Sequence, residues 1–466
     1  MLLLQLFSCN NFLDISPQTS RNTKDFFNTE KDFDAALAGN YAALKMQGTY
    51  SGSLSWMGET STDNGDYGAN RQALLAYQFQ FVDLNYTSLN TIIYAAWRDH
   101  YIGIGRSNLI LEHLPDAAIQ QSRKDQFEGE AKFLRALFYF NLVRLFGGVP
   151  LVTHEVTSPD EGDAFPRSTV DEVYNLIISD LTTAVEKLPE TYSGGGRGRA
   201  TSGAAGGLLG KVYLTRGQWE ECETVLQDVI DAGNYRLLDD YAAVFDYNTP
   251  INAEILFNVQ YQSGQTGQGS DFWWHFGPAQ GGSAVYGSGG GTGDGRNMPT
   301  EDMDNAYEEG DLRKDFSMQD HYTRSDGTRT DVRFITKFKQ YGAIPGDSDV
   351  DFPVLRYSDV LLMYAEALVE QDRVADGLEF VNQVRNRAGL DPVSVSNQEA
   401  ARRLIAQERR VELAFEFHRW FDLVRTGRYI ETMVAKGYNA RAHHILFLIP
   451  QRELDINDLL TQNDGY

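Results

Sequence analysis

Apolar residues recur at helical spacing in stretches of this chain that lie far apart, and each stretch needs a partner to cover it. Ala205, Leu208, Leu209, Val212 and Tyr213 fall at i, i+3, i+4, i+7 and i+8, one face of a helix. Gly217 interrupts, and Cys222, Val225, Leu226, Val229 and Ile230 repeat the spacing before Gly233 stops it. Two stripes joined through a glycine predict a helical hairpin of tetratricopeptide type. Leu355–Gly389 repeats the pattern with Val360, Met363, Tyr364, Ala367 and Leu368, then Val374, Leu378, Val381 and Ala388. Leu134, Leu137, Phe138, Leu142 and Leu145 form another stripe, ended by Gly147-Gly148 and Pro150. Such hairpins become stable when stacked into one core. Because they are not adjacent in sequence, long insertions must loop out of the stack and return. A fourth helical stretch, Glu408–Gly427, carries Glu416, Arg419, Asp422 and Arg425 at steps of three. It reads as a salt-bridge ladder along one helix, each exposed rung stabilising by about 0.2–0.5 kcal/mol.

The insertions differ in composition from the stripes. Trp56–Tyr86 is rich in Asp, Asn, Tyr and Gly; Tyr192–Arg199 is a Gly-rich loop; Ser263–Asn297 carries Gly, Ser, Gln and aromatics with few aliphatics. Before the last, Ile255, Phe257, Val259 and Tyr261 alternate with other residues as in a strand. Long loops in a compact domain are usually functional or disordered, and aromatics favour function. Sugar rings pack their C–H faces on flat aromatic rings, while their hydroxyls need amide, carboxylate and guanidinium partners. Two loops offer that mixture. One holds Asp63, Asn64, Tyr67 and Arg71, with Asp66 and Asn70; the other holds Trp273, Trp274 and Tyr286, with Phe272, His275 and Phe276. These are the candidate ligand residues.

The formal net charge of −24 argues against nucleic acid and against electrostatic docking on anionic lipid. No GxSxG, HExxH or complete GxGxxG motif occurs, so no catalytic residue or cofactor is nominated. Gly210-Lys211 lacks the rest of a phosphate loop and lies inside a helical pattern. Asp347, Asp349 and Asp351 alternate as at the start of a calcium loop, but Phe352 and Ser358 stand where its Gly and Glu are required, which leaves a solvated acidic loop. The two cysteines make no disulfide framework. Cys222 sits on an apolar stripe. Cys9 ends Leu6-Phe7-Ser8-Cys9, which resembles a lipoprotein cleavage box after a short apolar start, so residues 1–9 read as the remnant of a signal with Cys9 as the lipidated residue.

Five segments carry a family resemblance that spans nearly the whole chain. They are Asn11-Phe12-Leu13-Asp14 with Pro17; Glu130–Ala136 through Gly147-Gly148-Val149-Pro150; Leu355–Leu362 with Ala365-Glu366-Ala367; Glu408-Arg409-Arg410 with Glu412-Leu413 and Arg419–Leu423 with Arg425; and Ile449-Pro450-Gln451 through Tyr466. In this order they resemble the SusD/RagB family of nutrient-binding outer-membrane lipoproteins. The resemblance implies a mostly α fold of four tetratricopeptide-type helix pairs, with loop-rich insertions and short strands forming a ligand face. It implies one compact domain over residues 10–466, with an N-terminal part at 10–205 and a C-terminal part at 206–466. It also implies a lipid anchor on Cys9, a surface-exposed position on the outer membrane, and a SusC-like TonB-dependent transporter as partner. The expected function is capture of oligosaccharides and delivery to that transporter, without catalysis. A peptide-binding relative of the same fold and a tetratricopeptide adaptor for proteins are the alternatives.

Overall fold

Short polar side chains start the helices where the apolar stripes begin. Asn90 accepts from the Ile92 and Ile93 amides, Thr169 forms a capping box with Glu172, and Thr201 accepts from the Ala204 amide. Each such cap is worth about 1 kcal/mol. The computed structural model describes residues 26–67, 76–287 and 291–466. Eight helices make four pairs: α1 (Glu30–Tyr41) with α2 (Thr91–His113), α3 (Gln121–Phe146) with α4 (Val170–Lys187), α5 (Ser202–Arg216) with α6 (Trp219–Asp231), and α7 (Tyr357–Glu370) with α8 (Val374–Arg387). Neighbouring pairs also pack: α2 on α3, α4 on α5 and α6 on α7. The helix α3 is buried on all sides over Phe133–Val143 because it lies between α2 and α4.

The hairpin expected at 205–230 is present. Gly217 ends α5 at φ +69°, a left-handed turn that glycine adopts without strain, and Cys222 is buried in α6. Leu209 is buried at 4% exposure. Leu209→Ala should cost at least about 2 kcal/mol in chemical unfolding; a change under about 0.5 kcal/mol would remove it from the core. A single apolar cluster runs from Phe27 to Leu460, so residues before and after position 205 share one core. Among the described residues no helix is long and apolar enough to cross a membrane.

Among the described residues six short strands form three antiparallel pairs: β1 (Gly65–Asp66) with β3 (Met298–Pro299), β2 (Ile255–Val259) with β6 (Phe352–Arg356), and β4 (Met318–Thr323) with β5 (Arg329–Ile335). The expected strand at 255 is present, but its alternation does not separate a wet face from a dry one. All five residues of β2 are buried. Helices α5 and α7 cover the β2–β6 pair on one side, and Phe352 stacks on Phe417 at 4.4 Å on the other.

The expected continuous helix over Glu408–Gly427 is corrected to two. Helix α9 (Gln398–Glu412) ends, and α10 (Arg419–Arg425) begins after Phe415 and Phe417, both left-handed at φ +67° and +63°. Bulky residues pay a strain cost there of order 1 kcal/mol each, offset here by full burial of both rings. Close approach adds to the constraint: a Cβ on Gly58 would stand 2.8 Å from the Phe417 carbonyl oxygen. The charges at 416, 419, 422 and 425 therefore make no single ladder. Glu416 turns inward to Lys337 (2.8 Å) and Arg356 (2.7 Å), and Arg419 reaches Asp63 (2.8 Å). Only Asp422 and Arg425 pair along the helix, at 2.8 Å.

Those inward charges form a buried network at the centre of the C-terminal half. Glu412 accepts from Arg313 (2.9 Å), Arg356 and Arg387, while Arg356 and Arg387 also reach Glu254 at 3.0 and 3.1 Å. Burial alone would raise the Glu412 carboxyl, but the Arg387, Arg356 and Arg313 guanidiniums outweigh it and hold it well below the usual carboxylate range. Next to it, Asp359 is shared by Lys211 and Arg409, each at 2.8 Å. Lys211 thus lies within α5 as a core ion-pair partner, in agreement with the rejection of a phosphate loop.

Candidate functional site

The strand pair β1–β3 joins the two loops singled out in the sequence. Gly65 faces Pro299 and Asp66 faces Met298, and Thr300 donates to the Asn64 and Asp63 carbonyls at 3.0 and 2.6 Å. This sets the Asp63–Tyr67 segment against the end of the 263–297 insertion.

Within the first loop Asp63, Asn64 and Tyr67 are held by other side chains. Asp63 is 2% exposed and takes a bidentate bond from Arg419, both oxygens at 2.8 Å, with Arg410 at 3.2 Å. Burial works against its ionisation, and the Arg419 and Arg410 partners overcome that and keep its carboxyl below the usual range. Asn64 bridges the buried Glu59 (2.9 Å) and Arg410 (2.8 Å). Tyr67 is buried with its ring stacked on Trp56 at 5.2 Å. Arg71 and Asn70 lie outside the described residues, as does Cys9.

The second loop corrects the expectation of an exposed tryptophan. Trp273, Trp274 and Tyr286 are 1%, 3% and 0% exposed, in a cluster with Val285, Met298, Tyr322 and Phe334. Here the short helix Phe272–Phe276 separates neighbours by about 100° rather than 180°, and the β4–β5 hairpin and the Gly282–Tyr286 turn cover both rings. In this arrangement the rings form a base and present no face to a ligand.

The ring that does stand in solvent is Tyr341, 61% exposed. It meets Trp273 edge-on at 6.4 Å, and Lys339 reaches over its face at 5.1 Å. Polar groups cluster on the same short helix. Asp294 accepts from His275 Nδ1 at 2.9 Å and from Arg296 at 2.6 Å, and Asp271 lies 3.7 Å from the other His275 nitrogen. Burial disfavours the Asp294 anion, but His275 and Arg296 prevail and hold its carboxyl below the usual range. These side chains remain 19–46% exposed, so the cluster offers donors and acceptors together. Met298 and Val332 also wall a concavity of about 430 Å³ that the candidates Asp63 and Tyr67 line together with Asp66, Thr300, Arg333 and Tyr438. That volume is within the range of small-ligand sites. The sequence reading missed Tyr341, Asp294 and Arg296. The signal available was Tyr341 within a Gly- and Pro-rich segment, Tyr341–Gly346.

The alternating aspartates are fasteners for this face. Asp351 accepts from the Tyr261 amide (2.7 Å), Asp349 from the Ser263 amide (2.7 Å), and Asp347 from the Gly264 and Gln265 amides (3.0 and 2.9 Å). They tie down the start of the insertion. A larger groove, about 1030 Å³, lies between α9 and the pair formed by α10 and α11 (Tyr429–Ala435). Its walls are charged, and its arginines are largely paired in place: Arg425 with Glu366, Arg402 with Glu370, Arg419 with Asp63.

Comparison with known proteins adds to this geometry. Residues 332–466 match the SusD family, and residues 11–214 match a family described as starch-binding and associating with the outer membrane. The chain belongs to the SusD/RagB family. SusD-like protein P2 of Formosa agariphila is 28% identical over 100% of this chain and 98% of its own length. A SusD-like protein of Bacteroides ovatus is 26% identical, over 92% of this chain and 82% of its own. Among solved structures, a laminarin-binding SusD-like protein superposes with a TM-score of 0.83 at 28% identity, over 94% of this chain and 100% of that one. A SusD superfamily protein from Parabacteroides distasonis gives 0.80 at 28% identity, over 94% and 99%. The family fold accounts for the four helix pairs, and Arg356, Asp359, Glu408, Arg409 and Glu412, among the residues that carried the resemblance, belong to the buried ionic network.

Proposed function

We propose that this protein binds oligosaccharides on its loop face and passes them to a SusC-like TonB-dependent transporter, from a lipid-anchored position at Cys9 on the outer-membrane surface. It acts as a binding protein and not as an enzyme. The observation that carries the reading is Tyr341, an exposed ring held edge-on by Trp273, whose short helix also carries His275 with its Asp294 and Arg296 partners. A rigid exposed ring packs a sugar face at low entropic cost, and the polar cluster supplies partners for hydroxyls. The laminarin-binding relative supports a glycan ligand. A peptide-binding reading has one observation in its favour, the charged groove beside α9.

Calorimetric titration against laminarin oligosaccharides and other plant and host glycans tests the reading. Tyr341→Ala should weaken the glycan that binds at least tenfold, about 1.4 kcal/mol, with an unchanged unfolding midpoint because the ring is exposed. Wild-type affinity in that variant would take Tyr341 out of the site. Binding of peptides but of no glycan would favour the peptide reading. Failure to co-purify with a transporter from outer membranes would remove the delivery step.

A further inference from the structure

Arg144, partly buried, stands apart among the cations of the helical core. It lies in α3 with its guanidinium between two phenyl rings, 3.8 Å from the Phe140 centroid and 3.9 Å from that of Phe421. Its hydrogen bonds go to neutral oxygens, the Phe140 carbonyl at 3.0 Å and Asn141 Oδ1 at 2.7 Å. Among the described residues no carboxylate pairs with it, whereas Arg135, Arg313, Arg356, Arg387, Arg409 and Arg425 each hold one. Nη1 makes no hydrogen bond there. Burial pulls this guanidinium down to about 10, and the Tyr174, Tyr50, Asp422 and Asp359 side chains nearby offset that only in part.

Arg144 lines a narrow cleft together with Tyr50, Asn141, Lys211, Glu416 and His418. Lys211 donates to Asp359 at 2.8 Å and approaches His418 Nδ1 at 3.1 Å, which leaves a further ammonium proton. Burial lowers Lys211, and the nearby Arg409 and Arg144 lower it further, against the opposing pull of Asp359. The two cations at this cleft therefore repel each other. Tyr50 accepts from Asn141 at 3.4 Å, and its own hydroxyl proton has no acceptor among the described residues. The acids nearby are committed. Both Glu416 oxygens face Arg356 or Lys337, and Asp359 is divided between Lys211 and Arg409. The cleft holds about 30 Å³, more than the roughly 10–15 Å³ a single water requires.

We propose that this cleft is a binding site for one small monovalent anion of chloride size, held by the Arg144 guanidinium, the Lys211 ammonium and the Tyr50 hydroxyl. The anion supplies the charge that Arg144 lacks and screens it from Lys211. It also ties α3 to α5 and to the Tyr50 segment between α1 and α2, three parts of the chain that meet at the cleft. The site is separate from the loop face and does not depend on the glycan reading.

The test is thermal unfolding of the full chain in sodium chloride against sodium gluconate at equal ionic strength. Chloride should raise the midpoint saturably, by at least about 2 °C at saturation, and Arg144→Met should abolish the difference. If that variant does not fold, Tyr50→Phe keeps the ring and should raise the chloride Kd at least about threefold. Crystals soaked in bromide should show an anomalous peak in the cleft. Equal midpoints in the two salts, a chloride effect that survives Arg144→Met, or bromide confined to the outer surface would overturn the proposal.

Discussion

Glu412→Gln is expected to destabilise the protein by about 3–5 kcal/mol, the penalty for removing one partner from a buried ionic group. The side chain is fully buried, and Arg313, Arg356 and Arg387 all converge on it. An amide keeps the volume but removes the charge, so three guanidiniums are left to share Glu254, Glu408, Glu416 and Asp311. Replacing the whole network with well-packed apolar residues need not cost stability, because a buried ion pair repays its desolvation only in part. The prediction concerns breaking it. Guanidinium unfolding measures the effect as a shift in midpoint at constant slope. Glu399→Gln provides the contrast: that glutamate is 64% exposed and pairs with Arg402 and Arg403 on the surface, so the change should stay within about 0.5 kcal/mol. A cost below about 1 kcal/mol for Glu412→Gln would mean that the network does not hold the C-terminal half together.

The helix pairs were legible because burial imposes a period on the sequence, and each stripe in the 205–230 and 355–389 hairpins is recovered with its turn. The break at Phe415 and Phe417 was not legible. Nothing in Glu412–Arg419 disfavours a helix locally, and the two left-handed phenylalanines exist because Phe352, Gly58 and Arg356 require that geometry from a distance. The same holds for the charges: a step of three suggested neighbours on one helix, while the actual partners Lys337, Arg356 and Asp63 are far away in sequence. For the loop face, composition picked out two segments that β1–β3 brings together, while Tyr341 lies outside both. It did not separate aromatics that build a base from the one that stands on it. Trp273 and Tyr341 differ in exposure through the cover supplied by β4–β5, which no local pattern encodes.

Stability should peak near pH 4 and fall on both sides, for opposite reasons. On the acid side, Glu412, Asp359 and Asp422 are held below the usual carboxylate range. Burial opposes this in each case, but paired cations prevail: Arg387, Arg356 and Arg313 for the first, Lys211 and Arg409 for the second, Arg409 and Arg425 for the third. A carboxyl whose folded pKa is depressed stabilises fully above its unfolded value, about 4, and the contribution disappears as the pH falls toward the folded value. With three such groups the unfolded chain takes up as many as three more protons, a slope of up to about 4 kcal/mol per pH unit. On the other side, burial lifts Glu59 to about 7 and Asp351 to about 7, and raises Glu130, Asp180 and Glu408 as well. There the folded state keeps a proton that the unfolded chain has lost, so stability declines as the pH rises from about 4 to about 7. Denaturant midpoints from pH 3 to 8 measure both limbs. Asp422→Asn should reduce the acid slope by one proton's share, about 1.4 kcal/mol per pH unit, and Glu59→Gln should flatten the upper limb. Stability that stays level between pH 5 and 3 would show that the paired carboxylates titrate as free ones do, and would remove the ionic network as the source of acid sensitivity.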